Sequence, residues 1–380
     1  MRRGQGSRGQ GSKGQGGREQ EGKEQIYYAS YGSLALLISW ALVATFAADH
    51  FAVALREWRT LFLAAGLFAW LISRKEVQGA GDRWLLLVAW LLGGTTVALI
   101  GLWQYASGHD LITAEGVWRV RALYGSPNNL ALYLERTLAL CLALALFTRT
   151  RWRWAFALSA LIQAGALLLT FSKGALLLGL PALLGTLWLG GLILLKRRGE
   201  SRRVLWGLAV LAGLAVVALL PFLGTERFQR LLDFQQGTGF VRLNLWRSAW
   251  RMALDHPLLG VGPDNFLYAN RSFYLLPAAW QEPNLNHPHN WLLDWWTRLG
   301  LPGLVLAMLW WAGLIRRLWR SFTKAENAGS GPVIALGLMA AVAASLAHGL
   351  IDASYALPDL LIVWVLIGQV SVSWQSPRPG

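Results

Sequence analysis

The chain has 380 residues, of which 55% are hydrophobic and 14% charged, against about 25% charged in an ordinary soluble protein. With a mean hydropathy of +0.39, one water-soluble core is excluded, because there is too little polar surface to cover it. The formal charge of +15 falls in short loops between apolar runs instead of on one face, which argues against a nucleic-acid partner. A single cysteine, Cys141, excludes an intrachain disulfide framework and a cysteine-based zinc site.

Residues 1–25 carry the near-repeat GQGSRGQGSKGQGG and no apolar residue after Met1. They are expected to form a disordered basic cytoplasmic tail, weakly drawn to an acidic lipid surface, without the apolar stretch of a signal peptide. Apolar runs then recur from Tyr31 to Ser373. A crossing helix needs about 20 residues, and ten candidates follow: 27–48, 57–73, 84–106, 129–148, 154–171, 174–195, 204–223, 297–315, 332–350 and 358–373. The expected fold class is all-α, a polytopic integral membrane helix bundle. Transmembrane helices 1–7 fall in 26–223, a large partly helical extracytoplasmic loop in 224–288, helices 8–10 in 289–373 and a short cytoplasmic tail in 374–380.

Lysine and arginine counts set the expected orientation. The amino-terminal tail, alternate loops and Arg378 hold 22 of the 35 basic residues, the opposite side holds twelve, and Arg136 lies inside a span. The richer side is assigned to the cytoplasm, with both termini inside the cytoplasmic (inner) membrane. Tryptophans near span ends, among them Trp58, Trp84, Trp103, Trp152, Trp154, Trp206, Trp291, Trp295 and Trp296, read as interfacial anchors.

The connection 224–288 stands apart as the longest outer segment. It contains Arg227, Arg230, Arg242, Arg247, Arg251 and Arg271, with Asp233, Asp255, Asp264, Glu282, His256 and His287, and His289 follows directly. Its stretch NLWRSAWRMALDHPLLGVG reads as an amphipathic helix ended by proline and glycine. Arginine binds phosphate through a planar fork and keeps its charge, so a diphosphate at membrane depth suits Arg242, Arg247 and Lys173. His289 follows the turn-rich run PNLNHPHN at a helix start, where a neutral imidazole can accept a hydroxyl proton. Pro288 between the histidines and the lack of a nearby carboxylate triad argue against zinc.

Other charged groups fall inside or beside spans. Glu135 and Arg136 lie within the fourth, either as an interhelical ion pair or with Arg136 turned toward the diphosphate. His348 and Asp352 are four apart, to orient each other or line the acceptor opening, and Asp294 and Arg298 read as a surface pair. Asn128 is placed to cap the fourth helix or to touch a sugar.

Four stretches resemble the O-antigen ligase and polymerase family of bacterial membrane glycosyltransferases. They are Gly125-Ser126-Pro127-Asn128-Asn129; Thr170-Phe171-Ser172-Lys173-Gly174; Arg242-Leu243-Asn244-Leu245-Trp246 followed by His256-Pro257-Leu258-Leu259-Gly260-Val261-Gly262; and His289-Asn290 followed by Gly300-Leu301-Pro302-Gly303. The resemblance implies transfer of a glycan from a polyprenyl diphosphate-linked donor onto a glycan, lipid or protein acceptor, outside the bilayer, with no cofactor, nucleotide sugar or metal. It implies His289 as base and Lys173 and Arg242 as diphosphate ligands; Arg247, Arg136, Asn128, Asn290 and Asp352 are the further candidate substrate-binding residues from the reading of the chain itself. Lys173 stands where the family usually has arginine, and Arg298 where an acidic residue is common. Ten spans are fewer than the twelve typical of the ligases.

The expected reaction is a single inverting displacement, with His289 deprotonating the acceptor and cations stabilising the leaving diphosphate. A ligase and a repeat-unit polymerase differ only in acceptor. A polysaccharide or lipid transporter or flippase is the alternative from another class, but such proteins place their polar groups at the midplane of two matching halves, and no internal repeat is found.

Overall fold

The computed structural model describes residues 32–74, 79–229, 235, 237–280, 283–324, 330–352 and 358–370. The expected tails at 1–25 and 374–380, and Arg230, Asp233 and Glu282, lie outside the described residues. In chain order the elements are α1 (Gly32–Phe46), α2 (Phe51–Glu57, continued through a π-turn Trp58–Leu63 and Ala64–Ile72) and α3 (Ala80–Ser107). A two-stranded antiparallel hairpin follows, β1 (Ile112–Ala114) and β2 (Val117–Arg119). Then come α4 (Pro127–Phe147), α5 (Arg153–Leu169), α6 (Leu180–Arg198, preceded by a π-turn Ala175–Gly179), α7 (Trp206–Leu219), α8 (Gly237–Asp255), α9 (Trp291–Lys324), α10 (Gly331–His348) and α11 (Pro358–Val370).

Every one of the ten expected segments holds helix, but ten crossings are not confirmed by helix length and composition. Among the described residues six helices are long and apolar enough to cross a membrane: Gly81–Ser107, Pro127–Phe147, Ala175–Arg198, Arg202–Phe222, Trp291–Thr323 and Gly331–His348. Gly32–Phe46 and Arg153–Leu169 are apolar but shorter, α2 carries Arg56, Glu57 and Arg59, and α11 has 13 residues. The membrane character is nonetheless plain from the surface. Leu67, Trp70, Leu85, Leu92, Leu99, Leu158, Leu161, Leu189 and Val216 all stand exposed on helices, an apolar belt that water would not tolerate.

Local chemistry explains where the helices begin and end. Ser126 caps α4 by accepting from the Asn129 N–H, and Pro127 occupies the first turn, where its missing N–H costs nothing. Asn128 is therefore not the cap. Helix α6 ends with Lys196, Arg197 and Arg198 against the negative end of its dipole, followed by Gly199 in the left-handed region. Helix α4 is buried on all sides and packs against α5 and α10, so whatever its polar residues touch is protein. Trp291 and Trp295 are likewise buried in the core and do not serve as interfacial anchors, while Trp103, Trp152, Trp154 and Trp206 are exposed.

One joint decides how the segment after α8 meets the bundle. Helix α9 breaks at Gly300 (φ 68°), two residues before Pro302, which frees carbonyls of the preceding turn. The segment after α8 supplies the missing donors: Val261 N–H to Thr297 O at 2.8 Å and Gly262 N–H to Arg298 O at 3.1 Å. Trp40 Nε1 donates to Leu299 O at 2.8 Å, and Leu301 N–H is taken by Pro257 O at 2.7 Å. A Cβ at Gly300 would collide with Leu258 O, so the position needs glycine for both conformation and space. The HPLLGVG and GLPG stretches are thus two halves of one backbone lock.

Candidate active site

The hairpin and the α5–α6 turn meet first. Glu115 and Gly116 form the two-residue tip, both in the left-handed region (φ 53° and 79°) that such a turn requires. The backbone of Val120 donates to Leu169 O at 3.1 Å, and buried Arg119 donates through Nε to Thr170 O at 2.7 Å. In the same turn Phe171 is also left-handed (φ 44°), and Arg227 Nε donates to its carbonyl at 2.7 Å. That geometry aims Lys173 at the hairpin tip. Its Nζ lies 3.2 Å from Glu115 Oε2 and 3.3 Å from Thr238 Oγ1, while Arg227 Nη1 holds Glu115 Oε2 at 2.7 Å. Burial pushes Lys173 and Arg227 down from their ordinary values, with Glu115 pulling both back up. Arg119 is pushed down to about 9 by burial and by Arg227, still well above neutrality.

A second chain of contacts reaches His289. Arg119 Nη2 donates to Asn128 Oδ1 at 2.8 Å, Asn128 Nδ2 donates to Asp352 Oδ2 at 2.9 Å, and Asp352 Oδ1 lies 3.1 Å from His289 Nδ1. Burial alone would push the Asp352 carboxyl up; His289, His287 and His348 instead hold it well below the ordinary carboxylate range. As an ionised acceptor it fixes the His289 proton on Nδ1 and leaves Nε2 as the basic nitrogen. His289 is itself left-handed (φ 49°); its N–H donates to His287 Nδ1 at 3.2 Å, and its carbonyl accepts from Trp246 Nε1 at 3.4 Å. Non-glycine residues rarely hold this conformation, and three of them (Glu115, Phe171 and His289) converge here.

Helix α8 spans the two halves. Thr238, Arg242 and Trp246 recur every fourth residue and so share one face, from the Lys173 contact to the His289 carbonyl, a rise of about 12 Å. Half-buried Arg242 lies between them and makes no hydrogen bond or ion pair among the described residues, although its charge acts on Arg119, Lys173, Arg227 and His287. Arg119, Lys173, Arg227 and Arg242 face the carboxylates Glu115 and Asp352, which leaves an excess of two positive charges.

The other sequence candidates go elsewhere. Arg247 is exposed, about 140° round the helix from Arg242. Asn290 caps α9, its Oδ1 accepting from Leu292 and Leu293 N–H at 3.1 Å, and its Nδ2 donates to Leu350 O, so both ends serve the fold. Arg136 does not reach the cluster. Asn128 and Glu135, seven apart, share the face of α4 that meets the end of α10, and Arg136 is turned about 100° away, where its Nε donates to Ser345 at 2.8 Å and its guanidinium lies over Trp364. Glu135 pairs with His348, not Arg136, and His348 does not pair with Asp352. Asp294 and Arg298 are no surface pair: both are buried, and Arg298 also binds Glu57 at 2.5 Å.

The fold also brings a distant carboxylate, Asp352, to the two histidines. His287, His289 and Asp352 offer ligand atoms within 4.8 Å of one another. Their hydrogen bonds assign those atoms differently, since His287 Nδ1 accepts from the His289 backbone and Asp352 from the His289 ring. With Arg242 and Arg298 acting on His287, the trio suits a hydrogen-bonded base better than a cation. An open cleft of about 470 Å³, lined by Arg251, Asp255, Phe273 and Tyr274, contains none of these residues.

Arg119 and Glu115 escaped the sequence reading. The signal was present: ITAEGVWRV is two short β-prone runs around a Glu-Gly turn, and its basic residue alternates onto the buried face. Comparison with known families gives one match, to the family described as O-Antigen ligase, over residues 158–308. No curated protein matches the chain. The matched segment contains Lys173, Arg242, His289 and the Gly300 joint, and excludes Asn128 and Asp352. The match covers 151 of the 380 residues and supports a likeness to the O-antigen ligase/polymerase family over that segment.

Proposed function

We propose that the protein is a membrane glycosyltransferase that moves a glycan from a polyprenyl diphosphate donor onto an acceptor hydroxyl at the outer face of the cytoplasmic membrane. The observation that carries this reading is the position of Arg242: a half-buried cation without a counter-ion among the described residues, one helical turn from the Lys173 contact and one from His289. The excess of two positive charges matches a diphosphate in sign and size. Lys173 and Arg242 take the diphosphate, and Arg227 and Arg119 supply the field behind them.

Chemistry follows from the His289 tautomer. With Nδ1–H bound to Asp352, Nε2 accepts the acceptor hydroxyl proton as the oxygen attacks the anomeric carbon. The bond from that carbon to the diphosphate oxygen breaks, the electron pair leaves with the diphosphate, and Lys173 and Arg242 stabilise the charge. One displacement inverts the anomeric centre. Asn128 and Arg119 position Asp352. Ligase and polymerase share this scheme and differ in the acceptor offered.

Purified protein given a polyprenyl diphosphate-linked glycan and candidate acceptors should form a product of inverted configuration, and His289→Ala should abolish it with unchanged membrane content. Wild-type transfer by His289→Ala, or a product with retained configuration, defeats the scheme.

A further inference from the structure

Beneath the cluster lies a second polar chain that the reaction above does not use. Ser172 Oγ is 3.3 Å from His348 Nε2, and His348 Nδ1 is 3.1 Å from each carboxylate oxygen of Glu135. All three residues are completely buried, in a part of the bundle formed by α4, α10 and the start of the π-turn before α6. Ionisable groups buried this completely cost free energy, offset here only by the hydrogen bonds they make to one another. The order hydroxyl, imidazole, carboxylate is that of a nucleophile triad, yet Ser172 has no access to a substrate and its Oγ also receives the Ala175 N–H at 3.4 Å. A chemical role for this chain is therefore excluded by access.

Its attachments point to positioning. Ser172 directly precedes Lys173, and His348 ends α10 four residues before Asp352. Glu135 and Asn128 project from the same face of α4, so one helix face grips both the His348 and the Asp352 ends. The fit has no slack: a Cβ at Gly174 would collide with the His348 ring, and one at Gly179 with the Glu135 carboxylate. The π-turn Ala175–Gly179 carries the widened backbone that keeps this register.

We propose that Ser172, His348 and Glu135 are positioning residues that lock the Lys173 turn to the Asp352 turn, so that the diphosphate cations and the His289 base keep one fixed separation. The proposal rests on the glycosyltransferase reading. Both links persist in either protonation state of the imidazole, because Ser172 can donate to Nε2 or accept from it, while Glu135 accepts from Nδ1 throughout.

The test uses the full-length protein in detergent, with inorganic pyrophosphate as the probe of the cation site. Ser172→Ala and Glu135→Leu should each lower kcat about 10- to 100-fold, the size expected of a small misplacement of reacting groups. Glu135→Gln keeps an acceptor for Nδ1 and should recover most of the loss. Pyrophosphate affinity should fall in Ser172→Ala, with the melting temperature unchanged. Wild-type kcat and pyrophosphate affinity in Ser172→Ala would overturn the proposal, as would a loss that tracks a collapse in melting temperature. If wild-type protein fails to bind pyrophosphate, the glycosyltransferase reading itself fails and takes this inference with it; if it binds and only the variants behave normally, the inference alone is lost.

Discussion

The Asp352 carboxylate accepts the Nδ1 proton of His289 at 3.1 Å, from a turn 63 residues further along the chain. Asp352→Asn keeps the shape but lets the ring rest in the wrong tautomer, so transfer should fall by about 10²- to 10⁴-fold at unchanged expression. Single-turnover transfer rates on purified variants check this.

The same residue has a pH signature. Its carboxyl is held below the ordinary range in the folded protein, so folding favours the ionised form. That stabilisation is complete above the unfolded value, about 3.9, and is lost as pH falls through the folded value. Melting in detergent should therefore place wild type above Asp352→Asn from pH 5 to 7, on the order of the pH range where the carboxyl is fully ionised in both states. The gap should narrow under more acid conditions; a gap that widens on acidification contradicts the assignment.

Arg242 and Lys173 should separate in behaviour. Arg242→Ala removes the cation that has no counter-ion among the described residues, and kcat should drop about 10²- to 10³-fold, as for loss of one stabilising donor. Lys173→Arg keeps the charge and the Glu115 bond and should retain most activity, whereas Lys173→Ala also strands Glu115 beside Arg227 alone and should raise the donor KM. Steady-state kinetics with varied donor distinguishes the two.

The α9 break should be a stability element. Gly300→Ala forces a side chain into a left-handed position against Leu258 O and should cost at least about 1–3 kcal/mol. Arg298→Met leaves Asp294 and Glu57 buried without their cation and should cost about 3–5 kcal/mol. Both are read as reduced folded yield and lower melting temperature, with pyrophosphate binding retained by the protein that does fold.

Orientation can be read with introduced cysteines, because the native Cys141 is buried. Thr113→Cys, exposed on the hairpin, should react with an impermeant maleimide in intact cells, and Ser201→Cys, exposed beside the Lys/Arg-rich loop after α6, only after permeabilisation. The opposite pattern would put His289 in the cytoplasm.

Much of the architecture was readable from composition and runs. Apolar segments of 13–28 residues declare themselves because each must satisfy its own backbone in a helix, and all ten expected segments hold helix. Crossing counts were less legible, since a charged helix such as α2 and a short one such as α11 fall outside what length and hydropathy decide. In the candidate site, Lys173, Arg242 and His289 could be singled out as candidates because their neighbours form recognisable motifs. Arg119, Glu115 and the Asp352–His289 bond could not, because they join segments far apart in sequence.

What the amino-acid sequence determined alone was therefore the solvent of this protein and its inventory of chemistry: an apolar majority that belongs in lipid, and a few arginines and histidines crowded into one long connection between apolar runs. Only the tertiary structure decided which of them meet. Helical phase turned Arg136 and Arg247 away while bringing Asn128 and Arg242 in, and buried contacts claimed Arg298, Asp294 and Asn290 for the fold. The physical reason is that side-chain direction and long-range pairing depend on how helices pack, and packing is a property of the whole chain at once.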